Sequence, residues 1–261
     1  MKTGLVLSGG GARGFAQIGV LNVLKENNIQ IDAISGCSIG ALIGACYAYD
    51  QDPYRIKKLL IDIKSKRNVY DYSFSTKGVI KGKRLEQYIT EYFDKKNIRF
   101  EDLKIPLSVN ATDIVNGQEL IIDSGLLIPA IMASLSYPGF FTTRKLDDKI
   151  CVDGGVVNPL PVDLLPDVDF AIIVDVSSEV RDIDEESNIK DIVIQSTLIM
   201  QKVIVEKSLQ QFRKKYVVIA PDVKNVGVLD FKDAEKLIDI GENFALKVID
   251  KIKDQINNIY K

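Results

Sequence analysis

The sequence predicts an α/β fold built on a sheet of parallel strands. Two observations carry that expectation. The N-terminal third alternates short apolar strands with helical patterns, each pair joined through a glycine-rich turn. The 261-residue composition, 46% apolar and 27% charged, supplies one sizeable core and a soluble surface. The elements follow in order. Residues 3–8 read as a buried strand, followed by the cluster Gly9-Gly10-Gly11-Ala12-Arg13-Gly14. The run FAQIGVLNVLKENN then places Phe15, Ile18, Val20, Leu21, Val23 and Leu24 on an inward helical face, and Asn27-Asn28 marks its end. A second strand lies near residues 33–35. After the turn Gly36-Cys37-Ser38-Ile39-Gly40 comes a helix that is apolar all round and therefore buried. Gly40 and Gly44, four apart, let that helix approach a neighbour closely.

Further helices are expected at 84–93, around 127–133, at 189–211 and at 232–257. Further strands are expected at 107–111, 119–122, 171–176 and 216–220, and residues 182–186 read as an exposed acidic loop. With no repeat, low-complexity tract or clear linker, residues 1–261 read as one domain.

The net charge of −2 leaves no nucleic-acid footprint. The basic clusters at 64–67 and 77–84 read first as solvated faces, with contact to an anionic surface as the alternative. Three widely spaced cysteines, Cys37, Cys46 and Cys151, show no zinc spacing and suit a reducing cytoplasm. The N-terminus is too short of apolar residues for a signal peptide. The uncharged run 33–49 is too short to span a membrane, and 124–143 is interrupted by Pro129, Pro138 and Gly139. A soluble protein that can visit a membrane surface is expected.

The glycine cluster admits several readings. Gly9-x-Gly11-x-x-Gly14 matches a dinucleotide fingerprint, and Asp32 stands near the distance expected of a ribose-binding acid. Against this, Asp32 precedes the second strand, whereas that acid sits at the strand's end. The same glycines can turn backbone N–H groups toward one point at a helix N-terminus and hold an oxyanion, or can simply make a tight turn. Arg13, a cation in a first helical turn, opposes the helix dipole, which suggests a local anion or a hydrogen-bonding task; an exposed arginine is the plain alternative.

Gly36-x-Ser38-x-Gly40 between strand and helix is the pattern of a nucleophile elbow, in which small flanking residues let the backbone bend and the hydroxyl project. Cys37 occupies the neighbouring position and reads as a small packed side chain. The chain contains no histidine, so the usual triad is excluded and another group must take the serine's proton. No S-x-x-K pattern starts at Ser38, because position 41 is Ala41. A carboxylate is the leading choice. It is a weak base in water, but direct hydrogen bonding in a desolvated site can compensate. Among 36 acids, Asp153 stands out: it follows a short apolar strand and precedes Gly154 and Gly155. An ordinary Asp-Gly turn reads the same way, and both readings stand at this point.

Taken together, the blocks Gly9-Gly10-Gly11-x-Arg13-Gly14, Gly36-x-Ser38-x-Gly40 and Asp153-Gly154-Gly155 resemble the patatin-like phospholipase family. The segment ASLSYPGFF at 133–141 looks like the family's A-S-x-x-x-P block, and VLDFKDAEKLIDIGENFA at 228–245 looks like the tail of bacterial members related to neuropathy target esterase. The resemblance implies a three-layer α/β/α sandwich and a Ser38–Asp153 dyad, with Ser38 as nucleophile and Asp153 as its base. It further implies an oxyanion hole from the Gly9, Gly10 and Gly11 backbone, with Arg13, Gly14, Gly36, Gly40, Gly154 and Gly155 in support. The implied activity is acyl-ester hydrolysis of phospholipids or lysophospholipids without metal or cofactor. A dinucleotide-binding protein, or a non-catalytic lipid-binding protein on the same fold, are the competing expectations. For the substrate, 124–143 is a candidate channel wall and 69–74 a candidate lid or interfacial contact; ordinary core and an ordinary edge strand are the plainer readings of the two.

Overall fold

A run such as TGLVL, with no polar face to turn outward, is stable only in the middle of a sheet covered on both sides. β1 (Thr3–Leu7) takes that place and is buried along its whole length. The computed structural model describes residues 2–65, 72–75, 78–95, 97–177, 183–224, 226–227 and 230–258. After β1 come a one-turn 3₁₀ helix (Gly11–Gly14), α1 (Phe15–Glu26), β2 (Ala33–Cys37), α2 (Ile39–Asp50), α3 (Pro53–Ser65), the small hairpin β3 (Tyr72–Ser75) and β4 (Gly78–Ile80), and α4 (Lys83–Tyr92). Then follow β5 (Leu107–Asp113), β6 (Gln118–Ile122), α5 (Leu127–Ser134), β7 (Arg144–Leu146), β8 (Lys149–Asp153), β9 (Phe170–Val174), α6 (Ile189–Gln211), β10 (Lys215–Ile219), α7 (Ala234–Leu246) and α8 (Ile249–Asn258).

The main sheet runs β10-β9-β1-β2-β5-β8-β7, with β6 on the other edge of β5. The pairs among β10, β9, β1, β2 and β5 are parallel, and those involving β6, β7 and β8 are antiparallel. Alternate residues of β1 divide the core. Leu5 and Leu7 point into a large cluster with α1, α2 and α7, while Val6 points into a smaller one with Leu160, Leu165 and Val205 of α6. This is the expected three-layer α/β/α arrangement, thin on the α6 side. The strands beyond residue 166, β9 and β10, complete the sheet beside β1.

The predicted N-terminal elements stand to within one or two residues, with α2 starting at Ile39 directly after the serine. Two differences matter. The expected long helix at 232–257 is two, α7 and α8, because the chain turns at Lys247-Val248. α3 follows the helix signal of Pro53 at its first position, where no amide is needed, and buries Ile56, Leu59, Leu60 and Ile63 at helical spacing. The basic cluster at 64–67 and the aromatic stretch at 69–74 lie partly outside the described residues, as does the cluster at 77–84. The loop at 183–186 is exposed, as expected, and 182 lies outside the described residues.

α1 and α7 cross backbone to backbone. A β-carbon on Gly241 would overlap the carbonyl oxygen of Ala16, and one on Gly19 would overlap that of Ile238. Alanine favours an isolated helix over glycine by about 1 kcal/mol, but here it forces the two helices apart. Gly241→Ala is therefore expected to destabilise the fold by about 1–3 kcal/mol. A urea midpoint that falls at unchanged m-value checks this.

Candidate active site

Ser38 and Asp153 are 115 positions apart, and the sheet brings them together by an end-to-end meeting of strands. β6 occupies one edge of β5 from Val109 to Asp113. β2 pairs with Leu107 to Asn110 and β8 with Ala111 to Asp113, so both must lie along the opposite edge. β2 runs parallel and ends at Cys37 opposite Asn110, while β8 runs antiparallel and ends at Asp153 opposite Ala111. The two chains approach head-on, and what each places at its tip faces the other. Ser38 Oγ donates to Asp153 Oδ2 at 2.5 Å.

Each side of the meeting is held. Ser38 has φ +53° and ψ −122°, a region that costs a non-glycine residue about 1–3 kcal/mol and persists only where surroundings impose it. The turn is imposed by close approach: a β-carbon on Gly40 would overlap Leu7 O, and one on Gly36 would lie 2.6 Å from Gly40 O. A β-carbon on Gly14 would meet Ile39 Cγ1 at 2.5 Å. The amide of Ser38 donates to Ser134 Oγ at 2.8 Å, tying the turn to α5. Ser38 stands at the N-terminus of α2, where the helix dipole favours negative charge on the oxygen.

Asp153 is 2% exposed. Its Oδ1 accepts from the Gly155 amide at 2.7 Å, and its carbonyl accepts from Thr112 Oγ1 at 2.9 Å. Behind it, Asn110 Nδ2 donates to Glu119 Oε1 and to Asn158 O, both at 2.8 Å. Gly154 must lack a side chain, because a β-carbon would overlap the Asn110 amide oxygen. Gly155 leaves room for α6, whose Gln201 Nε2 donates to the Gly155 carbonyl at 2.9 Å. Burial pushes the Asp153 carboxyl up to about 6, against the pull of the hydrogen bonds from Ser38 and Gly155. The group is thus ionised at neutral pH and far more basic than an exposed aspartate. Cys37 is fully buried, 3.9 Å from Asp153 Oδ1, and burial raises its thiol well above the usual range. It is a packed neutral side chain, in line with the sequence reading.

Across the cavity lies the glycine turn. Gly10, at φ +148°, and Gly11, at φ +58°, take conformations suited to glycine. The Gly9 amide is already engaged by Pro159 O at 2.9 Å, so Gly9 offers no donor to a ligand; a β-carbon there would touch Ser38 Cβ at 3.5 Å. Arg13 is wholly buried and is not among the residues that line the cavity. Its Nε donates to Val226 O at 2.9 Å. The hydrogen-bonding reading of Arg13 holds, and the exposed-arginine reading does not.

The pair opens into a cavity of about 130 Å³ lined by Gly9, Gly10, Gly11, Ser38 and Asp153 at one end. The remainder is apolar, with Ile39, Leu42, Leu60, Ile63, Leu85 and Phe231 among its walls. Leu135, Tyr137, Phe140 and Phe141 also line it, so part of the 124–143 run forms the wall, the candidate reading, and not ordinary core alone, the plainer one. Asp32 is elsewhere. It accepts from the Thr3 amide at 2.7 Å, at the start of β1 and β2, about 17 Å of strand from the glycine turn at their far ends. Asp32 is therefore not placed to meet a ribose beside the glycine turn, which removes the ground for the dinucleotide reading. Of the residues that hold the site, Ser134 and Asn158 carried a weak signal in the A-S-x-x-x-P block and after Asp153-Gly154-Gly155; Asn110, Thr112 and Gln201 carried none.

The site thus combines a mostly parallel α/β sheet, a strained serine turn and a buried carboxylate hydrogen-bonded to that serine. The chain belongs to the patatin-like phospholipase family, whose model matches residues 5–166. An uncharacterized NTE family protein of Mycobacterium bovis is 29% identical over 177 residues, covering 67% of this chain and 49% of its own. This chain thus spans about half of that relative. The lysophospholipase NTE1 of Pyricularia oryzae is 27% identical over 283 residues, covering 97% of this chain and 19% of its own. Among solved structures, VipD from Legionella pneumophila shares the fold with a TM-score of 0.55 at 12% identity, covering 96% of this chain and 67% of that one.

Proposed function

We propose that this protein is a serine acyl-ester hydrolase of lipids, acting on phospholipids or lysophospholipids through a Ser38–Asp153 dyad. The observation that carries the reading is the direct hydrogen bond from Ser38 Oγ to a buried carboxylate at the head of an apolar cavity. Asp153 takes the Ser38 proton as Oγ attacks the ester carbonyl carbon. The oxyanion so formed is held by the Gly10 and Gly11 amides, which no protein acceptor occupies among the described residues. As the tetrahedral intermediate collapses, Asp153 returns the proton to the leaving alkoxide and an acyl-Ser38 ester remains. Water, deprotonated by Asp153, then releases the fatty acid and restores the serine.

The family match and the lysophospholipase name of one relative support a lipid substrate. The apolar walls suit a hydrocarbon chain. Since β9 and β10 complete the sheet that begins within the matched residues, we read 1–261 as one hydrolase domain. Three free thiols suit a reducing cytoplasm. No helix among the described residues is long and apolar enough to cross a membrane, and the reading places the enzyme peripherally at a lipid surface while it works. The test is a panel of soluble esters and phospholipids run on wild type and Ser38→Ala. Turnover by wild type with no turnover by the variant is expected; equal turnover by both would overturn the reading.

A further inference from the structure

α6 is unusual for a surface helix because apolar residues occur all round it. Ile194, Leu198 and Val205 face inward and are buried. Ile189, Val193 and Met200 are exposed by 81%, 59% and 59%, although water alone gives no reason for a contiguous apolar stripe on a surface. With Thr197 and Ile204 they fall on one helical face, at i, i+4, i+8, i+11 and i+15. That face and Val156 line an apolar groove of about 660 Å³. The groove is continuous with the cavity over Ser38: Tyr137, Phe140, Gly155 and Gln201 line both. It begins within two residues of Asp153, and Tyr137 borders both spaces.

We propose that this groove is a second hydrocarbon subsite, which takes the tail of a two-chain phospholipid that is not being cleaved. The proposal rests on the hydrolase reading above. An ester carbonyl at Ser38 directs its own acyl chain into the enclosed cavity, while the rest of the molecule must leave past Tyr137 and Gly155. That exit leads onto the α6 groove, whose lining offers a hydrocarbon tail contact and offers a polar head group little. A one-chain lysophospholipid leaves the groove empty; a two-chain lipid fills it. The groove therefore sets a preference for two chains over one.

The experiment compares kcat/KM for dioctanoyl phosphatidylcholine with that for its one-chain octanoyl counterpart, both held below their micelle concentrations so that no lipid surface is present. Wild type, Val193→Asp, Met200→Glu and Ile192→Asp are measured. Ile192 is 50% exposed on another face of α6 and serves as the control. The two-chain to one-chain ratio is expected to fall at least about tenfold in Val193→Asp and Met200→Glu, as loss of pocket contacts lowers selectivity, and to stay at the wild-type value in Ile192→Asp. An unchanged ratio in both groove variants would overturn the proposal. So would an equal fall in Ile192→Asp, which would make α6 a general apolar contact. The same variants are also assayed on phosphatidylcholine vesicles; losses there beside an unmoved monomer ratio would assign the face to bilayer docking instead and overturn it as well. p-Nitrophenyl butyrate hydrolysis by wild type separates the two levels: its absence counts against the hydrolase reading, its presence beside an unmoved ratio counts against the groove alone.

Discussion

Asp153→Asn is expected to lower ester turnover by about 10²- to 10⁴-fold, the range for removing a positioned general base, while leaving the fold intact. The same substitution has a predictable effect on stability. Burial holds the folded carboxyl at about 6, against an ordinary 3.8. The protonated form is therefore favoured by folding. Its contribution is fully present below about pH 3.8 and is lost as pH rises through about 6. At about 1.4 kcal/mol per pH unit, the ionised group costs the wild type on the order of 3 kcal/mol at neutral pH. Asparagine has no such dependence. The stability difference between variant and wild type should thus move in the variant's favour between pH 4 and 7, by denaturant unfolding at each pH. The acid limb of wild-type kcat/KM should fall near pH 6 for the same reason. A variant with near-normal turnover would rule out Asp153 as the base.

Gly10→Ala is expected to cost about 10²- to 10³-fold in kcat on a short soluble ester, the usual effect of losing an oxyanion donor. Gly10 sits at φ +148°, where a side chain is strained by about 1–3 kcal/mol. An added β-carbon would also lie 2.9 Å from Val176 Cγ2 and 3.1 Å from Val176 O. The chain relieves both by re-forming the turn, which moves the Gly10 and Gly11 amides off the carbonyl oxygen. Since the turn holds no part of the acyl channel's far wall, kcat should fall more than KM rises. A kcat within a few-fold of wild type would show that these amides do not hold the oxyanion.

The sequence made the first half of the site legible because its causes are local. A strand, three consecutive glycines, a helix and a serine between two glycines are all read within 40 residues. The missing histidine then makes a carboxylate the leading choice, yet Asp153 could be separated from an ordinary Asp-Gly turn only through the family resemblance. Its approach to Ser38 depends on β2 and β8 sharing one edge of β5, a non-local pairing that no periodicity records. The same holds for the Gly9 amide, spent on Pro159, and for Arg13, whose partner is Val226. Both contacts span most of the chain. α3 is a different case: Pro53 and the stripe Ile56, Leu59, Leu60 and Ile63 are local signals of a helix. The turn between α7 and α8 leaves no such mark, because the apolar period continues through Lys247 while the helices do not.

The central claim is that Ser38 is a nucleophile activated by Asp153. Labelling with a fluorophosphonate, followed by peptide mapping and by measurement of the labelling rate against pH, tests it most directly. One modified residue, Ser38, is expected, with a rate that rises through about pH 6 and falls by orders of magnitude in Asp153→Asn. Label that persists in Ser38→Ala, or a rate indifferent to Asp153, would contradict the claim.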